Sequence, residues 1–370
     1  MAAEAPTPRQ EIRFCRSADG VQIAYAVHGQ GPPLLVDSCW LSHLQHDWVS
    51  PVWRHYLEEW GRYRTVIRFD ERGHGLSDRG VTDHSLDLRL ADLEAVVDDA
   101  GHERFDLLAM AQGGPVAIAY VAKHPERVSR LAFYGSYSGQ QDKDATESEL
   151  NDTLDALIKV GWARPDSAFR RVFTSLMIPG ATEEQHTWLD ELQRVATDAE
   201  TARTSRRQRL TADASHLLGA LDLPTLVLHS RGDRMNDFSE ARYLAAHIDG
   251  ARLVCLDSDN HIVLEDEPAW QVFRTELRDF LQTPTRTAES RVDGVGSASL
   301  STLSVREREI LALAARGLDN EEIATELVLS TRTVERHLSN VYAKLDLHGK
   351  SARTAAVARL LTSTRPALGT

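Results

Sequence analysis

Phe105-Asp106-Leu107-Leu108-Ala109-Met110-Ala111-Gln112-Gly113-Gly114 decides the fold of this chain. Phe105–Leu108 reads as a buried strand, Ala109 to Gly113 as a tight turn of small residues, and Gly114-Pro115-Val116-Ala117 as the opening of a helix. A strand that turns at once into a helix brings two backbones close together, so Ala109 and Gly113 have to be small. At the centre of the turn stands Ala111, a side chain with no hydroxyl, thiol or charge.

Outward from this unit, short apolar strands alternate with helix-period segments. Val21–Val27, Leu34–Val36, Thr65–Phe69, Val128–Tyr134, Thr225–His229 and Arg252–Leu256 read as further strands. Trp53–Trp60, Leu86–Ala100, Gly114–Lys123, Ser239–His247 and Trp270–Leu281 read as helices. That alternation predicts an α/β fold built on a doubly wound, mainly parallel sheet. From about 140 to 222 the rhythm breaks: strands are lacking and helical patterns occur at Leu150–Val160 and Glu183–Thr197. An all-helical insertion there is expected to cap the C-terminal edge of the sheet. Residues 283–302 are rich in Ser, Thr and Gly and read as a linker. The domains expected are therefore 1–282, with its helical cap, and 303–363.

The bulk properties narrow the class. The chain has 370 residues, a 42% hydrophobic fraction and a net charge of −13. Residues 301–370 hold ten Lys/Arg against eight Asp/Glu, so the acidity resides in the remainder. An acidic body with a slightly basic tail suits a small DNA-reading module on a larger domain that does not touch DNA. No run of 18 apolar residues predicts a membrane span. Met1–Pro6 has no basic flank leading into an apolar stretch, so no secretory signal is expected. Cys15, Cys39 and Cys255 are odd in number and far apart, which predicts reduced thiols, a cytoplasmic location and no Cys-rich zinc site. No cofactor or metal is expected.

Several motifs resemble the α/β-hydrolase superfamily. Asp70-Glu71-Arg72-Gly73-His74-Gly75-Leu76-Ser77-Asp78 resembles the turn after its fourth strand, a mostly structural element to which no chemistry is assigned. Ala109–Gly114 resembles its nucleophile elbow, His229-Ser230-Arg231-Gly232-Asp233 its acid loop, and Ser258-Asp259-Asn260-His261 its histidine loop, in the order that fold uses. The resemblance implies a serine at position 111, an acid at Asp233 with Asp237 as competitor, and a base at His261. A triad needs the serine to attack, the histidine to take its proton and the acid to orient the imidazole. With Ala111 the first step is gone and no intact catalytic set is expected. The backbone N–H of Gln112, with one from the Ser38–Trp40 loop, remains available to an electron-rich ligand atom. The candidate ligand-binding residues are Cys39, Trp40, Ala111, Gln112, Trp162, Met177 and His261, with Trp48, Phe169, Phe173 and Trp188 as further aromatic or apolar lining.

The C-terminal part reads as four short helices. The first opens at Leu303, with Ser304 and Glu307 as a capping box, and ends at Gly317. The second starts at Asp319, and the third spans Thr331–Leu345 with Val334, Leu338, Val341 and Leu345 as its buried stripe. Thr331, Arg332, Thr333, Arg336, His337, Asn340 and Lys344 are the candidate DNA-binding residues, mostly facing away from that stripe. The runs Leu303-Ser304-x-Arg306-Glu307-x-Glu309-Ile310-Leu311, Gly317-x-x-Asn320-x-Glu322-Ile323-Ala324 and Leu329-Ser330-x-Arg332-Thr333-Val334-x-x-His337 resemble the LuxR-type helix-turn-helix domain. The departure is Glu335, where many members carry lysine. The resemblance implies a homodimer through Ser351–Leu361, with Ala355, Val357 and Leu360 in contact, reading an inverted repeat in double-stranded DNA. Its pairing with a hydrolase-like domain, together with His46-Asp47-Trp48 and Pro51-Val52-Trp53-Arg54-His55, resembles a group of bacterial regulators.

The function expected is a DNA-binding transcriptional regulator. Its hydrolase-like domain would bind a small organic effector (a lactone, ester or carboxylate-like molecule) in a pocket without a nucleophilic serine. The alternatives are a regulator that slowly hydrolyses its ligand through a His-Asp-activated water, and a hydrolase in which Ala111 has been substituted for serine.

Overall fold

The computed structural model describes residues 9–283 apart from 38–39, 140–144 and 166–167. Further along it describes 303, 305–327, 331–345, 347, 352–353, 356–357 and 360. The side chains of 145–148, 305, 332, 336 and 343 lie outside the description. The chain divides into two compact units, residues 1–285 and 286–370.

The first unit is built on eight strands: β1 Glu11–Arg16, β2 Gln22–Gly29, β3 Pro33–Asp37, β4 Thr65–Phe69, β5 Phe105–Met110, β6 Val128–Tyr134, β7 Thr225–Ser230 and β8 Arg252–Leu256. They lie in the order β1-β2-β4-β3-β5-β6-β7-β8. β1 and β2 are antiparallel to their neighbours and β3–β8 run parallel. The helices are α1 Leu44–Trp48, α2 Arg54–Gly61, α3 Leu86–Ala100, α4 Gly114–Lys123, α9 Phe238–His247 and α10 Pro268–Gln282, with the cap formed by α5 Ala145–Gly161, α6 Ala168–Met177, α7 Glu183–Ala196 and α8 Ala199–Leu210. The mainly parallel sheet and the helical insertion expected from the sequence are both present. β1, α1, α6 and α8 were not anticipated.

The sheet is covered on both faces, and the period-two pleat divides its side chains between them. Val36, Leu108, Tyr134 and Leu228 join the core that includes Trp60, Trp270 and the cap residues Trp162 and Phe173. Their neighbours Leu35, Leu107, Phe133 and Val227 join the opposite core with Leu93 and Val116. β5 is buried at every position because it lies inside the sheet, between β3 and β6. Pro268 opens α10, where its missing N–H costs nothing.

The cap is fastened to the turn after β4. Gly75 N–H donates to Ala196 O at 2.8 Å, Thr197 Oγ1 to Gly73 O at 2.8 Å, and Gln208 Nε2 to Thr82 O at 3.2 Å. The same turn is tied to the sheet through Asp70, whose carboxylate accepts from Ser42 Oγ and the N–H groups of Leu44 and Leu76. Its structural role, expected from the sequence, thus includes holding the cap.

The second unit contains α11 Val305–Ala315, α12 Asn320–Glu326 and α13 Thr331–Lys344. Val334, Leu338, Val341 and Leu345 are buried, as their spacing predicts. Ser304, one half of the expected capping box, lies outside the described residues. Glu307 is buried and its carboxylate receives Lys344 Nζ at 2.8 and 2.9 Å. A capping box occurs at α12, between Asp319 and Glu322. Of the expected dimer contacts, Ala355 lies outside the described residues, while Val357 and Leu360 pack partly buried against the core of Leu303, Leu311, Val341 and Ala356.

Candidate functional site

The turn after β5 holds Ala111 at φ 45°, the only positive φ at a non-glycine among the described residues. An L-residue is strained there. Crowding fixes the turn: a Cβ at Gly113 would approach Asp37 Cγ to 2.9 Å, and one at Gly114 would overlap the Tyr137 carbonyl. Ser136 Oγ donates to Ala111 O at 2.6 Å. The elbow geometry therefore persists although its central side chain is a methyl group.

Two loops beyond the C-terminal ends of β7 and β8 bring Asp233 and His261 together. His261 Nδ1 lies 2.6 Å from Asp233 Oδ2, and both side chains are buried. Asp233 Oδ1 accepts from the N–H groups of Met235 at 2.8 Å and Asn236 at 3.1 Å. Burial pushes the Asp233 carboxyl up, but the neighbouring imidazoles of His261 and His229 outweigh it and hold the group below the usual carboxylate range. An ionised Asp233 places the His261 proton on Nδ1. Asp237, the competing acid, caps α9 by accepting from Ser239 N–H at 2.8 Å. His229 was missed as a contributor: fully buried, it sits with Nε2 at 3.3 Å from Asp233 Oδ2 and 2.8 Å from Asn236 O. Gly135 makes room for the imidazole, since a Cβ there would meet His261 Cε1 at 2.9 Å.

A small, mostly apolar cavity of about 20 Å³ lies between the elbow and the cap. Trp40, Ala111, Gln112, Met177 and His261, all anticipated, line it. Leu41, Trp53, Leu189, Leu192, Met235 and Ile262 complete the wall. Trp53 lies in the Pro51–His55 stretch quoted above; the other five carry no motif, and cap helix α7 supplies Leu189 and Leu192. Trp162 is not in the wall. It packs behind Trp40, with ring centroids 5.8 Å apart, and donates Nε1 to Thr197 O. Trp48, Phe169, Phe173 and Trp188 are likewise absent from the wall; Trp188 stacks on His46 instead. Cys39 lies outside the described residues. Trp40 N–H, from the loop expected to supply a donor to ligand, is engaged by Gln112 Oε1 at 3.2 Å.

A buried ionic chain runs beneath the elbow. Arg89 Nη2 donates to Gln112 O at 2.9 Å and to Glu71 Oε1 at 3.0 Å, and Arg209 of α8 pairs with the other oxygen of Glu71. Asp37 beside them is pushed up to about 7 by burial, against the pull of Arg89 and Arg209.

On α13, Thr331, Thr333, His337 and Asn340 are partly exposed. The side chains of Arg332 and Arg336 lie outside the description. Lys344 is placed against Glu307, so part of its charge is spent within the module.

Comparison with known proteins agrees with both units. Residues 38–268 match the family described as alpha/beta hydrolase fold, and residues 301–357 match bacterial regulatory proteins of the luxR family. The chain is 25% identical over 237 residues to pimeloyl-[acyl-carrier protein] methyl ester esterase of Nitrosomonas europaea, covering 63% of this chain and 90% of that protein. It is 48% identical over 60 residues to the transcriptional regulatory protein FixJ of Rhizobium meliloti, covering 16% of this chain and 29% of FixJ. Among solved structures, esterase RhEst1 from Rhodococcus sp. ECU1013 superposes with a TM-score of 0.63 at 23% identity, covering 74% of this chain and 98% of that one.

Proposed function

The chain belongs to the α/β-hydrolase fold family and carries a LuxR-type DNA-binding domain, and from that premise we propose that its hydrolase-like unit is a receptor for a small organic effector, which it binds without turnover. The observation that carries this is Ala111. The elbow, the Asp233–His261 pair and an apolar cavity stand around it, and position 111 carries no attacking oxygen. Such a site keeps the shape that receives a carbonyl compound and lacks the nucleophile for acyl transfer. No helix among the described residues is long and apolar enough to cross a membrane.

The DNA partner is read through α13. Thr331, Arg332, Thr333, Arg336, His337 and Asn340 supply donors and cations to base edges and phosphates, and a homodimer reads an inverted repeat. Lys344 contributes less, because Glu307 holds it. Binding chromosomal DNA carries with it a cytoplasmic location.

The test is native mass spectrometry of freshly purified full-length protein, paired with p-nitrophenyl ester turnover in wild type and His261→Ala. The receptor reading expects a non-covalent small molecule in the first and equal background rates in the second. A wild-type rate well above that of His261→Ala would sink the non-catalytic claim. It would favour the second reading, slow hydrolysis by a His261-activated water, for which the retained 2.6 Å contact to Asp233 speaks.

A further inference from the structure

We infer, resting on the receptor reading above, that the cavity takes an uncharged, largely apolar molecule with one polar group and rejects the matching free acid. The wall decides this. None of its described residues is Lys, Arg, Asp or Glu. Its polar end consists of Gln112, which is neutral, and His261, which is committed through Nδ1 to Asp233.

The charge of that end is bounded whichever way His261 titrates. With a neutral imidazole the His261–Asp233 pair carries −1, and with an imidazolium it carries zero. With Asp233 ionised, the His261–Asp233 pair by itself carries no net positive charge; His229, also against Asp233, sits behind the carboxylate and is not in the wall. The nearest cations behind the wall do not alter this. Arg89 donates to the Gln112 carbonyl and shares Glu71 with Arg209. Asp37, packed against Gly113, adds an acid rather than a base to the same region. A carboxylate pushed into this cavity would lose its hydration and find no counter-charge, which strongly disfavours the ionised form. An ester, lactone or ketone of equal size loses only a weakly hydrated carbonyl and gains the apolar contacts of Trp40, Trp53, Leu192 and Met235. A site of this kind distinguishes a signal molecule from its own hydrolysis product.

If only the uncharged form enters, a simple acid must first take up a proton. With an ordinary carboxyl pKa near 4.3, roughly 1 molecule in 500 is neutral at pH 7, and that fraction falls about tenfold per pH unit. The experiment is isothermal titration of full-length protein with methyl hexanoate, γ-octalactone, 2-octanone and hexanoate at pH 6, 7 and 8. At least one uncharged probe is expected to bind at all three pH values with little change. Hexanoate is expected to bind at least ~100-fold more weakly at pH 7, with the gap widening about tenfold per unit towards pH 8. Parallel measurement of the uncharged probes removes any effect of His261 titration that does not depend on ligand charge. Met235→Lys, which puts a cation at a partly buried wall position, is expected to narrow the gap at pH 7 at least tenfold. Hexanoate binding as tightly as the uncharged probes at pH 7 overturns this inference and leaves the receptor reading standing. Failure of all four probes to bind overturns the receptor reading for this ligand class, and the inference with it.

Discussion

The indole Nε1 of Trp40 donates to the hydroxyl of Ser205 at 3.0 Å, linking a wall of the cavity directly to cap helix α8. One turn further along the same helix, Arg209 grips Glu71 and through it Arg89 and the Gln112 carbonyl. Two wall residues are thus tied to one helix by separate routes. A double-mutant cycle of Trp40→Phe and Ser205→Ala in chemical denaturation is expected to give a coupling energy of about 1 kcal/mol, the size of a buried neutral hydrogen bond. A coupling indistinguishable from zero would remove the first route.

Ala111→Ser returns an oxygen to an elbow that still has the backbone for it. We expect p-nitrophenyl butyrate turnover to rise at least ~100-fold over wild type, the lower range for a positioned general base. Adding His261→Ala in the same chain should abolish the gain. A serine variant no faster than wild type would show that His261 does not reach position 111.

Gly135 sits at φ 55°, where a methyl group would push the His261 ring off Asp233. Gly135→Ala is expected to cost about 1–3 kcal/mol of stability through strain and displacement. It should also erase the downfield imidazole N–H proton signal of the His261–Asp233 bond in NMR spectra. Survival of that signal would show that the ring has another way to settle.

Burial pushes the His74 imidazole down to about 3, from an ordinary value near 6.5. Its ring lies in the turn that fastens the cap and donates Nδ1–H to Arg72 O at 2.9 Å. A histidine with a depressed folded value is protonated more readily when unfolded. Its contribution to stability is therefore full above pH 6.5 and falls as pH drops towards 3. Between pH 6.5 and 4 the stability gap between wild type and His74→Gln should shrink by roughly 3 kcal/mol. Urea titrations across that range measure it, and a constant gap would contradict the buried neutral imidazole.

Lys344 divides its role between fold and DNA. Lys344→Met removes a half-exposed ion pair to Glu307 and is expected to cost the C-terminal unit about 1 kcal/mol. The salt dependence of promoter binding should change little. Arg336→Ala, by contrast, is expected to lower the slope of log affinity against log salt by about 1. Equal slope changes in the two variants would return Lys344 to the phosphate contacts.

The legible parts of this molecule are those in which apolar spacing carries the structure. α3 and α4 fall at the expected residues because their buried positions recur with helical period, and the four-residue stripe of α13 is buried as read. α8 was invisible for the opposite reason. It buries Thr201, Ala202, Ser205 and Arg209, a mostly polar face held by hydrogen bonds and ion pairs that hydrophobic periodicity does not register. Edge strand β1 buries mainly Cys15 and gives almost no alternation. At the site, Asp233 and His261 were legible from loop position. The lining by Leu189 and Leu192 was not, because it depends on how the cap folds over the sheet. Trp162 was misplaced because size and aromaticity do not distinguish a wall from the layer behind it.

The strained turn at Ala111 bears on how such a chain changes over generations. A side chain at Gly113 would meet Asp37 and one at Gly114 would overlap Tyr137, so the close packing around the turn constrains its residues whether or not a reaction depends on them. Selection on folding alone therefore conserves a backbone shaped for acyl transfer. Alanine and serine at this position differ by one oxygen atom, and the packing around the turn makes no distinction between them.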